Sequence, residues 1–288
     1  MNIVPTNVPY HSNLLRLNLM LLNRTFPFLN VQIVENSVLG TPIFAVKLGK
    51  GPNKVFYSGS IHANEWITSV VLMKFIEDYC DAYIANGSLY GQSIRELYDR
   101  SSIYIMPMVN PDGVDLVTGA IQTNTNIYQN FKNIASRFPG IPFPSGWKAN
   151  YNGVDLNLQF PAGWENARTI KFAQGYTMPA PRDFVGESPL TEPEALAMYH
   201  FTQMHDFRLI LAYHTQGEVI YWKYADFLPK DSQEIGEKFS EASGYTLDIT
   251  PPESAFAGYK DWFIQEYNRP GYTIEAGLRR KSTTYFAI

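Results

Sequence analysis

The run Ile103-Tyr104-Ile105-Met106-Pro107-Met108-Val109 is apolar almost without interruption. A strand with two apolar faces needs cover on both sides, so such a run belongs in the middle of a sheet with a layer packed on each face. Other segments read as strands: residues 31–34, 43–48, 55–61, 208–213, 219–222 and 272–274. Between and around them, apolar residues recur at helical intervals over residues 13–23, 66–85, 92–100, 191–205, 232–243 and 259–267. Thr191 followed by Glu194 forms a capping-box pattern at the start of one of these helices. Strands alternating with helices predict an α/β sandwich. No internal repeat, domain linker or low-complexity tract is visible, so residues 1–288 read as a single domain. From residue 113 to about 190 the periodicity is poor and prolines interrupt it, and a long irregular segment inside a compact domain usually builds a functional surface.

Composition excludes several classes. The chain is 45% hydrophobic and 17% charged with a net charge of −4, the balance of a soluble globular protein, and it has no basic cluster of the kind that binds nucleic acid. A single cysteine, Cys80, rules out an intramolecular disulfide and reads as a small core residue. The N-terminus lacks a basic segment followed by an apolar one, and the apolar stretch at residues 14–22 carries Arg16 and Asn18. It reads as an amphipathic helix, neither a signal peptide nor a membrane span, so a cytoplasmic location is expected, and unconventional export would leave no mark here.

The chemistry begins at His62-Ala63-Asn64-Glu65-Trp66, directly after a strand-like run and opening a helical pattern. Residues three apart on a helical turn share a face, so the imidazole and the carboxylate can grip one ion. A catalytic zinc takes three protein ligands and keeps a fourth position open; His214, ending the strand at 208–213, is the third candidate. Taken alone, His-x-x-Glu is a weak signal. Three further segments follow in order: Asn110-Pro111-Asp112-Gly113 after a second strand, Gly153-Val154-Asp155-Leu156-Asn157 in the irregular region, and Glu275 at the end of the last strand. Chemical groups at the carboxyl ends of several strands are how an open α/β sheet builds a site. His200 and His205, five apart on a helix, diverge and read as structural, with His11 a surface residue.

In this order and wording the motifs resemble the zinc carboxypeptidase family of metallopeptidases over roughly residues 10–278. The resemblance implies a three-layer α/β/α sandwich around a central mixed, mostly parallel, twisted sheet. It implies one Zn2+ per chain on His62, Glu65 and His214, with Glu275 as catalytic base and Asp155 holding the ring N–H of His62. A plainer role stays open to each of the last two residues: an ordinary strand-end carboxylate for Glu275, a turn-former for Asp155.

Two positions depart from the family pattern. Members read Gly-Val-Asp-x-Asn-Arg-Asn-Phe where this chain has Gly153-Val154-Asp155-Leu156-Asn157-Leu158-Gln159-Phe160, so Leu158 replaces an Arg that pairs bidentately with a substrate's terminal carboxylate. Asn64 stands where the first motif usually carries a second Arg. The altered version, Gly153 to Trp164 together with Tyr213-His214-Thr215-Gln216-Gly217, resembles bacterial γ-D-glutamyl-L-diamino acid endopeptidases. Those enzymes cut between γ-D-glutamate and meso-diaminopimelate or lysine in peptidoglycan stem peptides, which makes stem peptides or muropeptides the expected partners. Asn157, Gln159, Thr215 and Gln216 are then candidates to read the stem, and Lys148 is the candidate cation for the scissile carbonyl, with a solvated surface lysine as its alternative. Two other functions remain: a zinc carboxypeptidase on ordinary peptides, which Leu158 and Asn64 disfavour, and a truncated, inactive relative that binds muropeptides or nothing.

The family pattern fails after Leu278. One codon choice for residues 282–288, read two bases earlier, encodes Asn-Pro-Leu-Pro-Ile-Ser-Gln, close to what relatives have before a last helix. The expectation is a frameshifted tail at residues 279–288 that lacks the C-terminal helix and leaves Glu275 near an under-packed edge; a genuine short tail is the alternative.

Overall fold

The structure is a computed structural model that describes residues 2–278. Ten strands are described: β1 (Asn30–Asn36), β2 (Pro42–Leu48), β3 (Asn53–Ser58), β4 (Ser88–Leu89), β5 (Gln92–Ser93), β6 (Ser101–Met106), β7 (Leu209–His214), β8 (Val219–Tyr221), β9 (Thr246–Asp248) and β10 (Gly271–Glu275). The helices are α1 (Ser12–Thr25), α2 (Ile67–Ile84), α3 (Ile94–Arg100), α4 (Pro111–Val117), α5 (Asn126–Ala135), α6 (Trp164–Ala173), α7 (Pro193–Gln203), α8 (Ser232–Ser243) and α9 (Tyr259–Tyr267). Eight strands form one mixed sheet in the order β1-β2-β6-β3-β7-β10-β8-β9, and β4 with β5 makes a small separate hairpin. The middle of the sheet, β6-β3-β7-β10, is parallel throughout, while β1, β2 and the β10–β8 pair are antiparallel.

Side-chain alternation sorts each central strand between two cores. Phe56 on β3, Tyr104 and Met106 on β6, and Ile210 and Ala212 on β7 face α7 and α9, where Phe201, Trp262, Phe263 and Ile264 meet them. Val55, Tyr57, Ile103 and Ile105 face the opposite layer with α1 and α2, through Leu15, Leu19, Val70, Met73 and Ile76. Farther along the sheet, Leu211, Tyr272 and Ile274 pack against Ile235 and Phe239 of α8. This is the expected three-layer arrangement, with the apolar run at β6 covered on both faces and Cys80 buried within the second core.

Several expectations need correction. The strand read over residues 55–61 ends at Ser58, because Ser60 takes a left-handed turn with φ of 51° and lifts the chain out of the sheet. The run at 103–109 leaves the sheet at Met106, ahead of Pro107, which has no N–H for the ladder. The capping box at Thr191 and Glu194 does not form. Pro193 opens α7, the Thr191 hydroxyl turns to Gln159 Oε1 at 3.0 Å, and Glu194 is buried, accepting from Val38 N and Asn150 Nδ2, each at 3.1 Å. His11 is half-buried and caps α1, its Nδ1 accepting from Leu14 N at 3.3 Å. The irregular region contains three short helices, α4 to α6. β10 is an inner strand flanked by β7 and β8; the tail at residues 279–288, on which the expected loss of a covering helix beside Glu275 depends, lies outside the described residues. Among the described residues no helix is long and apolar enough to cross a membrane.

Candidate active site

His62 follows β3, Glu65 closes a short 3-10 turn (Ala63–Glu65), and His214 is the last residue of β7. The first segment is anchored from several directions. Ser60, fully buried, takes Thr68 Oγ1 on its N–H at 2.7 Å and meets Ser69 Oγ at 2.7 Å. Ala63 N and Asn64 N donate to Lys148 O and Trp147 O, both at 3.0 Å, which binds the turn to the loop carrying Lys148. Asn110 joins the same pieces: its Oδ1 caps α4 through Gly113 N at 3.0 Å, while its Nδ2 donates to Ala149 O at 2.9 Å and Ile61 O at 3.3 Å. Gly113 is required for this junction, since a Cβ there would lie 2.7 Å from both Ala149 O and Ala63 Cβ.

The three side chains converge. His62 Nδ1 lies 3.0 Å from Glu65 Oε1, His214 Nδ1 lies 3.0 Å from Glu65 Oε2, and the two Nδ1 atoms are 3.2 Å apart. Ligands about 2.0–2.1 Å from a tetrahedral zinc are roughly 3.3 Å from one another, so the spacing is that of a metal's coordination edges. Glu65 Oε2 is buried and has no hydrogen bond of proper alignment despite the nearby ring nitrogen. Buried carboxylate oxygens are rarely left so, and an ion between the three groups satisfies it. His62, Glu65 and His214 are thus positioned to bind a metal ion.

Surrounding charges set the protonation of the centre. Asp155 Oδ1 lies 3.1 Å from His62 Nε2, and because a carboxylate only accepts, this nitrogen carries the proton and Nδ1 keeps its lone pair for the metal. Asp155 Oδ2 in turn accepts from Asp183 N at 3.0 Å. Burial works against charge on both groups, but the His62 ring carries Asp155 below the ordinary carboxylate range, and Glu65 with Asp155 pushes His62 up to about 9. Lys148 is no solvated lysine: its side chain is 19% exposed and its ammonium donates to Glu65 Oε1 at 2.8 Å. Burial alone lowers its pKa, yet Glu65 more than reverses this. Glu275 pairs with His214 in the parallel register of β10 and β7, so the two side chains leave the same face of the sheet on adjacent strands. Burial raises the Glu275 pKa, and the carboxylate of Glu65 adds to the effect.

One cleft holds these groups. His62, Lys148, Asp155, Asn157, Leu158, His214 and Glu275 all line it. Gln159 does not: it is fully buried, its Nε2 donates to Val185 O at 2.6 Å, and its Oε1 accepts from Thr191 N at 2.8 Å, so its amide is consumed in holding the irregular segment together. Thr215 and Gln216 lie beyond the cleft lining as well. Asn157 lines it while its Oδ1 accepts from Tyr259 N at 3.1 Å. Sequence reasoning missed three cations in the cleft: Lys171, Arg182 and Lys260. Lys171 pairs with Asp183 at 2.7 Å, Arg182 Nε donates to Asp183 at 2.6 Å, and Lys260 pairs with Asp261 at 2.6 Å. The Lys260-Asp261 pair had a signal, a charged dipeptide beside Trp262 and Phe263 in an apolar helix; Arg182, in an aperiodic stretch, had none.

A mixed α/β sheet with a His-Glu-His cluster at the carboxyl ends of its parallel strands defines an α/β scaffold with a candidate metal site. Residues 18–287 match the zinc carboxypeptidase family, and the chain belongs to it. It is 45% identical over 258 residues to gamma-D-glutamyl-L-diamino acid endopeptidase 1 of Lysinibacillus sphaericus, covering 89% of this chain and 62% of that protein. It is 41% identical over 254 residues to YqgT, an uncharacterized protein of Bacillus subtilis strain 168, covering 88% and 66% respectively. The chain thus spans less than two thirds of the length of these relatives. Among solved structures, carboxypeptidase A from Helicoverpa armigera superposes with a TM-score of 0.71 at 18% identity, over 98% of this chain and 68% of that one, a likeness of fold.

Proposed function

We propose that this chain is a zinc metallopeptidase that hydrolyses the γ-D-glutamyl–diamino acid bond of peptidoglycan stem peptides, with muropeptides as its substrates. The observation that carries this reading is a complete His62–Glu65–His214 centre in a cleft where Leu158, 8% exposed and packed on Trp164 and Val185, stands in place of a carboxylate clamp. The resemblance to an endopeptidase named for that bond supports it. An α-linked peptide end would find no bidentate anchor at Leu158, whereas Arg182 and Lys171 offer positive charge elsewhere in the cleft for the carboxylates of a γ-linked stem.

When bound, zinc supplies a water whose pKa is lowered to about 7. Glu275, kept by burial more basic than an exposed carboxylate, would serve as the base that accepts a proton from the attacking water and passes it to the leaving amine of the diamino acid. The Lys148 ammonium, which gives one N–H to Glu65, has donors left for the oxygen of the scissile carbonyl as negative charge builds there. Asp155 holds the His62 ring in one tautomer and orientation throughout.

The test is incubation of the zinc-loaded protein with L-Ala-γ-D-Glu-meso-diaminopimelate, with products identified by mass spectrometry. Release of free diaminopimelate, abolished by a chelator and restored by zinc, is expected. An intact tripeptide under these conditions refutes the reading, and a preference for ordinary C-terminal residues of α-linked peptides replaces it with a carboxypeptidase.

A further inference from the structure

In the cleft wall formed by Lys171, Arg182 and Asp183, two cations share a single carboxylate. Lys171 Nζ lies 2.7 Å from Asp183 Oδ1, and Arg182 Nε donates to Asp183 Oδ2 at 2.6 Å, so the group keeps one positive charge. The accessible part of that charge is on Arg182: the Lys171 side chain is 8% exposed, the Arg182 side chain 41%. Among the described residues Nη1 and Nη2 of Arg182 have no hydrogen-bond partner, which leaves the forked end of the guanidinium open. The backbone on either side of it is fastened. Pro181 O accepts from Lys148 N at 2.7 Å and Ala149 N at 2.9 Å, and Asp183 N donates to Asp155 Oδ2 at 3.0 Å. Arg182 is thereby held beside Lys148, and its charge works against protonation of that lysine. An open fork in a fixed place suits a planar anion that can take both N–H groups, which is how guanidinium recognises carboxylate.

We infer that Arg182 determines specificity for the γ-linkage by pairing through Nη1 and Nη2 with the α-carboxylate of the D-glutamyl residue. The inference rests on the function proposed above and deepens it. A γ-linked glutamate keeps its α-carboxylate free, whereas an α-linked one spends that group in the peptide bond. From the scissile carbonyl carbon the free carboxylate is four C–C bonds away, about 5 Å at full extension. A cation that takes it must stand near the group that meets the scissile carbonyl, and Arg182 is tied through Pro181 O to Lys148. The carboxylate of the diamino acid lies on the leaving side, where family members place their clamp. There Leu158 packs on Trp164, Val185 and Ala257 and offers no charge. Amidation of the D-glutamyl α-carboxyl removes the anion and sets an NH2 donor against guanidinium donors. Sites built to hydrogen-bond a substrate group reject analogues that lack it, and one charge-assisted contact corresponds to a factor of roughly 10–100 in kcat/KM. The protein therefore prefers stems with a free D-glutamyl carboxylate over amidated ones.

The experiment uses the zinc-loaded protein and three tripeptides: L-Ala-γ-D-Glu-meso-diaminopimelate, its D-glutamyl α-carboxamide, and its carboxamide at the diaminopimelate carboxyl next to the scissile nitrogen. Expected is a kcat/KM about 10–100-fold lower for the D-glutamyl amide than for the parent. In Arg182→Met this ratio falls close to one, while the ratio of the parent to the diaminopimelate amide keeps its native value. A purely structural role for Arg182 would slow all three alike and leave both ratios unchanged. Arg182→Lys, which keeps the charge without the fork, gives an intermediate ratio and serves in place of an Arg182→Met protein that does not fold. Equal turnover of the parent and the D-glutamyl amide by the native chain overturns the inference and leaves the proposed function standing. So does an unchanged D-glutamyl ratio in a folded variant, or collapse of the diaminopimelate ratio in its place. Cleavage of none of the three by the native protein overturns both.

Discussion

Glu194 makes stability depend on pH in a way that can be worked through from the structure. It is fully buried on α7, with Oε1 accepting from Val38 N and Oε2 from Asn150 Nδ2, and Asn150 also donates to Glu192 Oε2 at 2.6 Å. Burial raises the Glu194 pKa from its ordinary value of 4.5 to about 7. The folded state thus holds a proton that the unfolded chain gives up once the pH passes 4.5. Stability from this group is fully present below that value and is lost as pH rises through about 7. At 1.36 kcal/mol per pKa unit the loss across the whole window is about 3 kcal/mol, a large share of the 5–15 kcal/mol that typically holds a domain together. Glu194→Gln removes the titration, keeps an acceptor for Val38 and sacrifices one hydrogen bond to Asn150, a cost of about 1 kcal/mol at all pH values. Urea unfolding of both proteins at pH 5, 6, 7 and 8 isolates the effect, since other groups titrate alike in each. The variant should start at or below native stability at pH 5 and gain about 2–3 kcal/mol on it by pH 8. A difference that stays flat over this range refutes the reasoning, because it means the carboxylate is ionised in the folded protein throughout.

Other perturbations address the centre directly. His214→Ala should lower zinc affinity by more than the roughly 10–100-fold typical of losing an outer hydrogen bond to a ligand, read by metal analysis after dialysis. Glu275→Gln should retain one zinc per chain and lose about 10²–10⁴-fold in kcat, measured on the diaminopimelate tripeptide. Leu158→Arg forces a guanidinium into a pocket shared with Trp164, Ala167, Val185 and Ala257. It should lower stability by about 1–3 kcal/mol in urea unfolding and give no rise in kcat/KM on γ-D-glutamyl substrates.

Much of the site was legible because its parts sit where periodicity breaks. His214 and Glu275 end strands whose alternation could be read directly, and their parallel register then brings the two together. His62 and Glu65 follow a strand whose end was misjudged, yet the three-residue spacing survives in a 3-10 turn as well as in a helix. What could not be read depends on tertiary contact. Gln159 sits two residues past Asn157 in the same motif, but the segment turns so that one lines the cleft and the other ties Val185 and Thr191 together. Thr191 and Glu194 carry a capping pattern that loses to better partners, Gln159 for the hydroxyl and Val38 with Asn150 for the carboxylate. Arg182, in an aperiodic stretch, lines the cleft in a segment that is fastened by Lys148 N and Ala149 N to Pro181 O, by Asp183 N to Asp155 and by Asp155 N to Phe184 O.

The central claim concerns which bond the zinc centre attacks. The most direct measurement is a competition in one vessel between L-Ala-γ-D-Glu-meso-diaminopimelate and its isomer linked through the α-carboxyl of L-glutamate, followed by mass spectrometry with and without chelator. Zinc-dependent loss of the γ-linked tripeptide, with the α-linked isomer left intact, is the predicted result. Equal or faster loss of the α-linked isomer contradicts the account.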